Sequence, residues 1–144
     1  MTSAPAPELQ VSHWLNAPKP FTLADFRGRV LVIEAFQMLC PGCVSHGLPQ
    51  AQRVAHLFPA SEVAVIGLHT VFEHHDVQGT EAALSAFLHE YRFSFPVGID
   101  MQNGRLPMTM SAYAMKGTPT TVIIDRRGNL RFQHFGQIDD LMFG

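Results

Sequence analysis

The chain has 144 residues, 47% of them hydrophobic and 15% charged, with a formal net charge of −2. That length suits one domain with a sizeable core, and the apolar share excludes a disordered chain. No basic run points to nucleic acid or an anionic membrane surface, and the longest apolar stretch falls well short of the ~20 residues a membrane helix needs. Two cysteines are too few to staple a domain of this size, which leaves redox chemistry, a metal or simple burial. Met1 to Pro7 shows neither the positive segment nor the apolar centre of a signal peptide. The expected compartment is therefore the cytoplasm, or the periplasm if a leader has been removed.

In chain order, residues 1–8 read as a flexible Pro/Ala-rich lead to a single domain spanning 1–144. Val11 to Trp14 and Phe21 to Leu23, separated by Asn16-Ala17-Pro18-Lys19-Pro20, predict a short hairpin. Residues 30–37 form a nearly unbroken apolar run, which suits a central strand covered on both faces. From Pro41 to about Phe58 the apolar residues Val44, Leu48, Ala51, Val54, Ala55 and Phe58 recur at helical spacing, and Pro49 should kink that helix. Glu62 to His69 reads as a second buried strand. Residues 80–92 read as a helix capped by Thr80, with Leu84, Phe87, Leu88 and Tyr91 on its apolar face. A short strand is expected over 95–99 and a short helix over 108–115. Strands over 120–125 and 130–135 join through Arg126-Arg127-Gly128-Asn129, and 137–143 looks like the start of a short or truncated helix. This order indicates an α/β fold with a mixed sheet.

Both cysteines stand in Cys40-Pro41-Gly42-Cys43, where the apolar run 30–36 ends and the helical pattern begins. Two thiols three residues apart close a disulfide only across a tight turn, which a strand-to-helix junction supplies. Unpaired N–H groups and the dipole at a helix start favour a thiolate, the reacting form of cysteine. Glu34 lies inside the apolar strand, and period-two alternation puts it on the face of Val32 and Phe36, where burial raises a carboxyl pKa.

With this motif, the preceding strand and the Thr118-Pro119 that heads a late strand, the chain resembles the thioredoxin superfamily, and within it the TlpA/ResA-type thiol–disulfide oxidoreductases. The resemblance covers about 21–136. It takes in Phe21 to Val30, the Cys-Pro-Gly-Cys turn, Phe95-Pro96-Val97 with Asp100, Tyr113, Gly117 to Thr121, and Val122 to Asp125 with Gly128. It implies a central mixed sheet flanked by helices, with a strand and helix inserted before a cis-proline strand. It also implies an enzyme that exchanges disulfides through a mixed disulfide, without cofactor or metal. Cys40 would attack and Cys43, one turn further in, would resolve. Glu34 would accept the proton of Cys43, while Pro41, Gly42, Thr118 and Pro119 would face the substrate, with the Thr118-Pro119 bond cis. Partners would be disulfide-containing proteins or small molecules and an upstream thiol reductant, the protein acting as a monomeric reductase. Three features depart from the thioredoxin pattern: Leu39 stands where Trp is usual, the dipeptide is Pro-Gly, and Pro49 follows Cys40 by nine residues where eight is usual.

Other readings compete with this one. Peroxiredoxins share the fold but carry Thr three residues and Pro seven residues before the reactive cysteine, where this chain has Gln37 and Ile33. A non-catalytic interaction module would lose a cysteine or the Thr-Pro, and neither is lost. Structural zinc wants four ligands, and only His46 stands near the cysteine pair. His69, Glu73, His74, His75 and Asp76 read as a solvated loop after a strand, and Trp14, Met108, Met110 and Met115 as packing residues.

Overall fold

The computed structural model describes residues 4–104 and 106–139. Its strands are β1 (Ala4–Pro5), β2 (Val11–Leu15), β3 (Val30–Phe36), β4 (Val63–His69), β5 (Val97–Asp100), β6 (Gln102–Asn103), β7 (Leu106–Pro107), β8 (Thr120–Ile124) and β9 (Asn129–Phe135). Its α-helices are α1 (Leu48–Leu57), α2 (His75–Gln78), α3 (Glu81–Tyr91) and α4 (Met108–Ala112). Seven strands form one sheet in the order β1-β9-β8-β3-β4-β5-β2, and β6 pairs with β7 as a separate ribbon. The strands β3, β4 and β5 run parallel, whereas β8 lies antiparallel to β3 and β9 to β8. The expected mixed α/β sheet is therefore present, with β3 at its centre.

Because β3 is covered on both faces, alternate residues feed two cores. Leu31, Ile33 and Ala35 pack with Leu23, Phe26, Met110, Tyr113 and Met115 on one side. Val32, Phe36 and Cys43 pack with Leu48, Val54, Leu84 and Leu88 on the other. Leu84 and Leu88 anchor α3 at 0% and 3% exposure, each burial stabilising by about 1.5–3 kcal/mol. Thr80 caps that helix as expected, its hydroxyl accepting from the Ala83 N–H at 3.1 Å, and Arg92 ends it in the left-handed region at φ 63°. Among the described residues no helix is long and apolar enough to cross a membrane.

The structure corrects the N-terminal expectations. Val11–Leu15 does not pair with 21–23; it adds to the sheet edge at β5, with Trp14 opposite Gly98 and Leu15 opposite Val97. Pro18 and Pro20 stand in the connection and cannot donate to a ladder, and Leu23–Phe26 coils into a 3-10 turn. Trp14 and Phe21 still meet edge to face at 5.4 Å, so the side chains associate where the strands do not. Nor is 4–8 an unattached lead. Ala4 and Pro5 pair with Leu130 and Asn129, the Tyr113 hydroxyl donates to the Pro7 carbonyl at 2.6 Å, and Glu8 accepts from the Leu23 N–H at 2.9 Å. The helix expected over 137–143 falls partly outside the described residues, and 137–139 are not helical. His69, read as a solvated loop residue, closes β4 at 1% exposure.

Candidate active site

The loop after β3 delivers Cys40 to the top of the sheet. The Cys40 N–H donates to the Gln37 carbonyl at 3.1 Å, and the Cys43 and Val44 N–H groups both return to the Cys40 carbonyl at 3.1 Å. This tight turn also brings the Cys43 N–H to 3.4 Å from the Cys40 Sγ, a donor that stabilises negative charge on that sulfur. Cys40 is half-buried and Cys43 fully buried.

Beyond Cys43 the chain makes a π-helical turn over Cys43–Gly47, the Leu48 N–H reaching back five residues to the Cys43 carbonyl, before α1 begins. One extra residue per turn is what a π-turn holds. It accommodates the one extra residue between Cys40 and Pro49, and Pro49 lands near the start of α1, where the ladder changes from π to α and a missing N–H costs least. The buried Gly47 lies against Glu34: a Cβ there would sit 2.6 Å from Glu34 Oε2 and 3.0 Å from Pro119 Cβ.

Thr118-Pro119 is a cis peptide. Pro119 lies beside Gly42 in ordinary contact, 3.5 Å from where a Cβ would stand. The Cys40 thiol donates to the Thr118 carbonyl at 3.5 Å. Cys40, Gly42 and Thr118 thus form one half-buried surface against the buried Pro119, while Pro41 is exposed beside it.

Glu34 sits beneath this surface at 1% exposure. Its cross-strand neighbour on β8 is Thr121, whose hydroxyl donates to Oε1 at 2.8 Å; Oε2 has no hydrogen-bond partner. Burial holds the carboxyl well above the usual carboxylate range, the Thr121 hydrogen bond opposes this, and negative charge on Cys40 adds to it. Burial likewise pushes the Cys43 thiol up, reinforced by its hydrogen bond with Cys40, while weaker polar influences of the Gln37 backbone and Thr118 oppose the rise.

Sequence reasoning missed the residues that hold the loop itself. The Met38 N–H donates to His69 Nε2 at 3.4 Å and the Leu39 N–H to Gln78 Oε1 at 3.0 Å. Burial lowers the His69 imidazole to about 4, which keeps that ring nitrogen an acceptor at neutral pH. Gln37 and Gln78, each 1% exposed, bond one another at 3.1 Å. The available signal was Gln37 as a polar residue continuing an apolar strand; nothing local marked Gln78. Of the histidine-rich loop, Glu73, His74 and Asp76 are exposed and His75 half-buried. His46 turns from the cysteines to donate to the Ile138 carbonyl at 2.8 Å.

Comparison with known proteins bears on this geometry. A family model for Redoxin matches residues 1–140. A solved thioredoxin-like superfamily protein is 57% identical, with a TM-score of 0.94 over 96% of this chain and 90% of that one. A solved thiol-disulfide isomerase from Corynebacterium glutamicum is 48% identical, with a TM-score of 0.93 over 97% of this chain and 91% of that one. Protein DipZ of Mycobacterium tuberculosis is 30% identical over 93% of this chain, which spans only 19% of that relative's length.

Proposed function

We propose, since the chain belongs to the Redoxin family and is a thioredoxin-like thiol–disulfide oxidoreductase, that Cys40 and Cys43 are its working dithiol and that it acts as a disulfide reductase. The observation that carries the reading is the asymmetry of the pair. Cys40 is half-buried, its sulfur beside the Thr118 carbonyl and the Cys43 N–H, while Cys43 is fully buried.

In this scheme the Cys40 thiolate attacks one sulfur of a substrate disulfide. A Cys40–substrate bond forms, and the other substrate sulfur leaves as a thiolate. Cys43 then attacks Cys40 Sγ, the Cys40–Cys43 disulfide forms, and the second substrate sulfur departs. The substrate gains two electrons, the dithiol loses them, and an upstream thiol reductant restores it. Glu34 accepts the Cys43 proton. Its unpartnered Oε2 and raised pKa support that role, because a carboxylate whose charge is disfavoured by burial is a stronger base than an exposed one. Pro41, Gly42, Thr118 and Pro119 face the substrate, a disulfide-containing protein or small molecule. The peroxidase reading is disfavoured: where it needs Thr, this chain has Gln37, which is committed to the loop network.

Limiting iodoacetamide on the reduced protein, mapped by mass spectrometry, should label Cys40 and spare Cys43; preferential labelling of Cys43 would reverse the roles. A redox titration should give a potential at or below about −250 mV, as a reductant in a glutathione-buffered compartment requires. A value near −120 mV would mark an oxidant instead.

A further inference from the structure

The end of the sheet opposite the dithiol is built from two turns, one leading into β3 and one joining β8 to β9. They are far apart in sequence and lock together. The Gly28 N–H donates to the Arg126 carbonyl at 2.9 Å, and the Arg126 guanidinium returns to the Gly28 carbonyl at 2.7 Å. Arg27 crosses onto the second turn, its Nε 2.6 Å from where a Cβ on Gly128 would stand. Arg29 reaches the next loop, donating to the Ala60 carbonyl at 3.2 Å. With Arg127 and Arg131, half of the chain's 10 lysines and arginines gather here, in a molecule of net charge −2. No run along the chain shows this, because the fold assembles it. Arg27, Arg126, Arg127 and Arg131 are exposed. The carboxylates nearby do not neutralise them. Asp125 accepts from the Arg127 and Asn129 N–H groups and pairs with Arg131, while Asp25 pairs with Lys19. Among the described residues no carboxylate pairs with Arg27, Arg126 or Arg127. Even with exposed Glu62 in the neighbouring loop, this end keeps a positive excess.

We propose that this arginine end docks on a bilayer surface rich in anionic phospholipid, holding the molecule end-on with Cys40 turned to solvent. Guanidinium forks match phosphate oxygens in pairs, and Arg126, Arg127 and Arg131 line a cleft of about 350 Å³ that can seat a headgroup. The rest of the surface carries the negative balance, so the same bilayer repels it and the basic end leads. From Val30 at this end, β3 runs roughly 20 Å to Phe36, just before the Cys40 loop. A plane touching the arginines therefore leaves the dithiol clear. A nucleic-acid strand fits less well: single strands are held by stacking on aromatic side chains, and the aromatic ring in these turns, Phe26, is buried with Arg29 over it.

The test is co-sedimentation with vesicles of phosphatidylcholine alone or mixed with phosphatidylglycerol at about 3:2, at low salt. Wild type should bind the mixed vesicles, ignore the neutral ones and be released by 0.5 M NaCl, where charges are screened within about 4 Å. Arg27→Gln with Arg127→Gln removes two head groups that make no ion pair, so the fold and the reduction of a soluble disulfide peptide should be unchanged. Each arginine lost should weaken partitioning about fivefold, and the pair about thirtyfold. Lysine at both positions should hold it within about threefold, and Arg92→Gln, on the turn after α3, should match wild type. Iodoacetamide should label Cys40 equally with and without vesicles. No binding to the anionic vesicles, binding that survives the paired glutamine variant, or Cys40 shielded by vesicles would each overturn the proposal. So would a single-stranded oligonucleotide that displaces the vesicles at a lower phosphate concentration than the lipid. Binding is read without turnover, so its failure leaves the dithiol reading standing, and the loss of that reading leaves the docking result intact.

Discussion

Glu34→Gln separates two effects of burying a carboxyl under the dithiol. Folded Glu34 keeps its proton well above the ordinary range because of burial, whereas in the unfolded chain it titrates near pH 4.3. Between those limits the folded state binds one proton more than the unfolded state. The wild-type unfolding free energy therefore falls by about 1.4 kcal/mol for each pH unit gained, until the folded pKa is passed. Glutamine does not titrate, so the variant lacks this slope. It has its own cost: an NH2 replaces Oε2, which has no partner and faces Gly47, and an unpaired buried donor costs about 1–3 kcal/mol at any pH. The variant should start below wild type at pH 4.5 and gain on it steadily, with the curves crossing about one to two pH units higher. Urea unfolding of both proteins from pH 4.5 to 7.5 under a phosphine reductant measures this. Other groups titrating in that interval, His69 among them, cancel in the difference. A gap independent of pH, or a variant that loses ground as pH rises, would refute the reasoning.

Gly67 faces Glu34 across the central strands, and a methyl there would stand 3.0 Å from Phe95 Cε1, 3.1 Å from Phe36 Cε1 and 3.2 Å from Val97 Cγ2. Gly67→Ala should cost about 1–3 kcal/mol of overpacking, outweighing the ~0.4–1 kcal/mol gained by stiffening the unfolded chain; an unchanged or higher urea midpoint would show that this core has slack. His69 should keep its neutral-ring resonances in NMR from pH 7.5 down to 5 and move only toward about 4, as its buried imidazole requires. The folded state then binds fewer protons than the unfolded one below about pH 6.5, so His69 lowers stability as the pH falls from there toward its folded pKa. A ring titrating near 6.5 would contradict its burial.

Where chemistry is local, the sequence was enough. The run from Val30 to Phe36 reads as a doubly buried strand because every residue but Glu34 is apolar, and the one exception marked itself. Cys40-Pro41-Gly42-Cys43 reads as a turn because only a tight turn brings its thiols together, and Thr80 declared itself a cap by standing one residue before a 3.6-residue pattern. The spacing of Pro49 was also visible, though its consequence, the π-turn that seats Gly47 over Glu34, emerged only in three dimensions. Tertiary structure alone decided the rest, since those choices are between partners distant in sequence. Whether Val11–Leu15 joins 21–23 or β5 depends on which strand edge is free. The burial of His69 depends on β4 ending against Phe36. Gln78 holds the amide beside Cys40 from 39 residues away, and no pattern along the chain encodes that reach. A buried amide declares its role only through the donors and acceptors that close around it, and the fold brings those together.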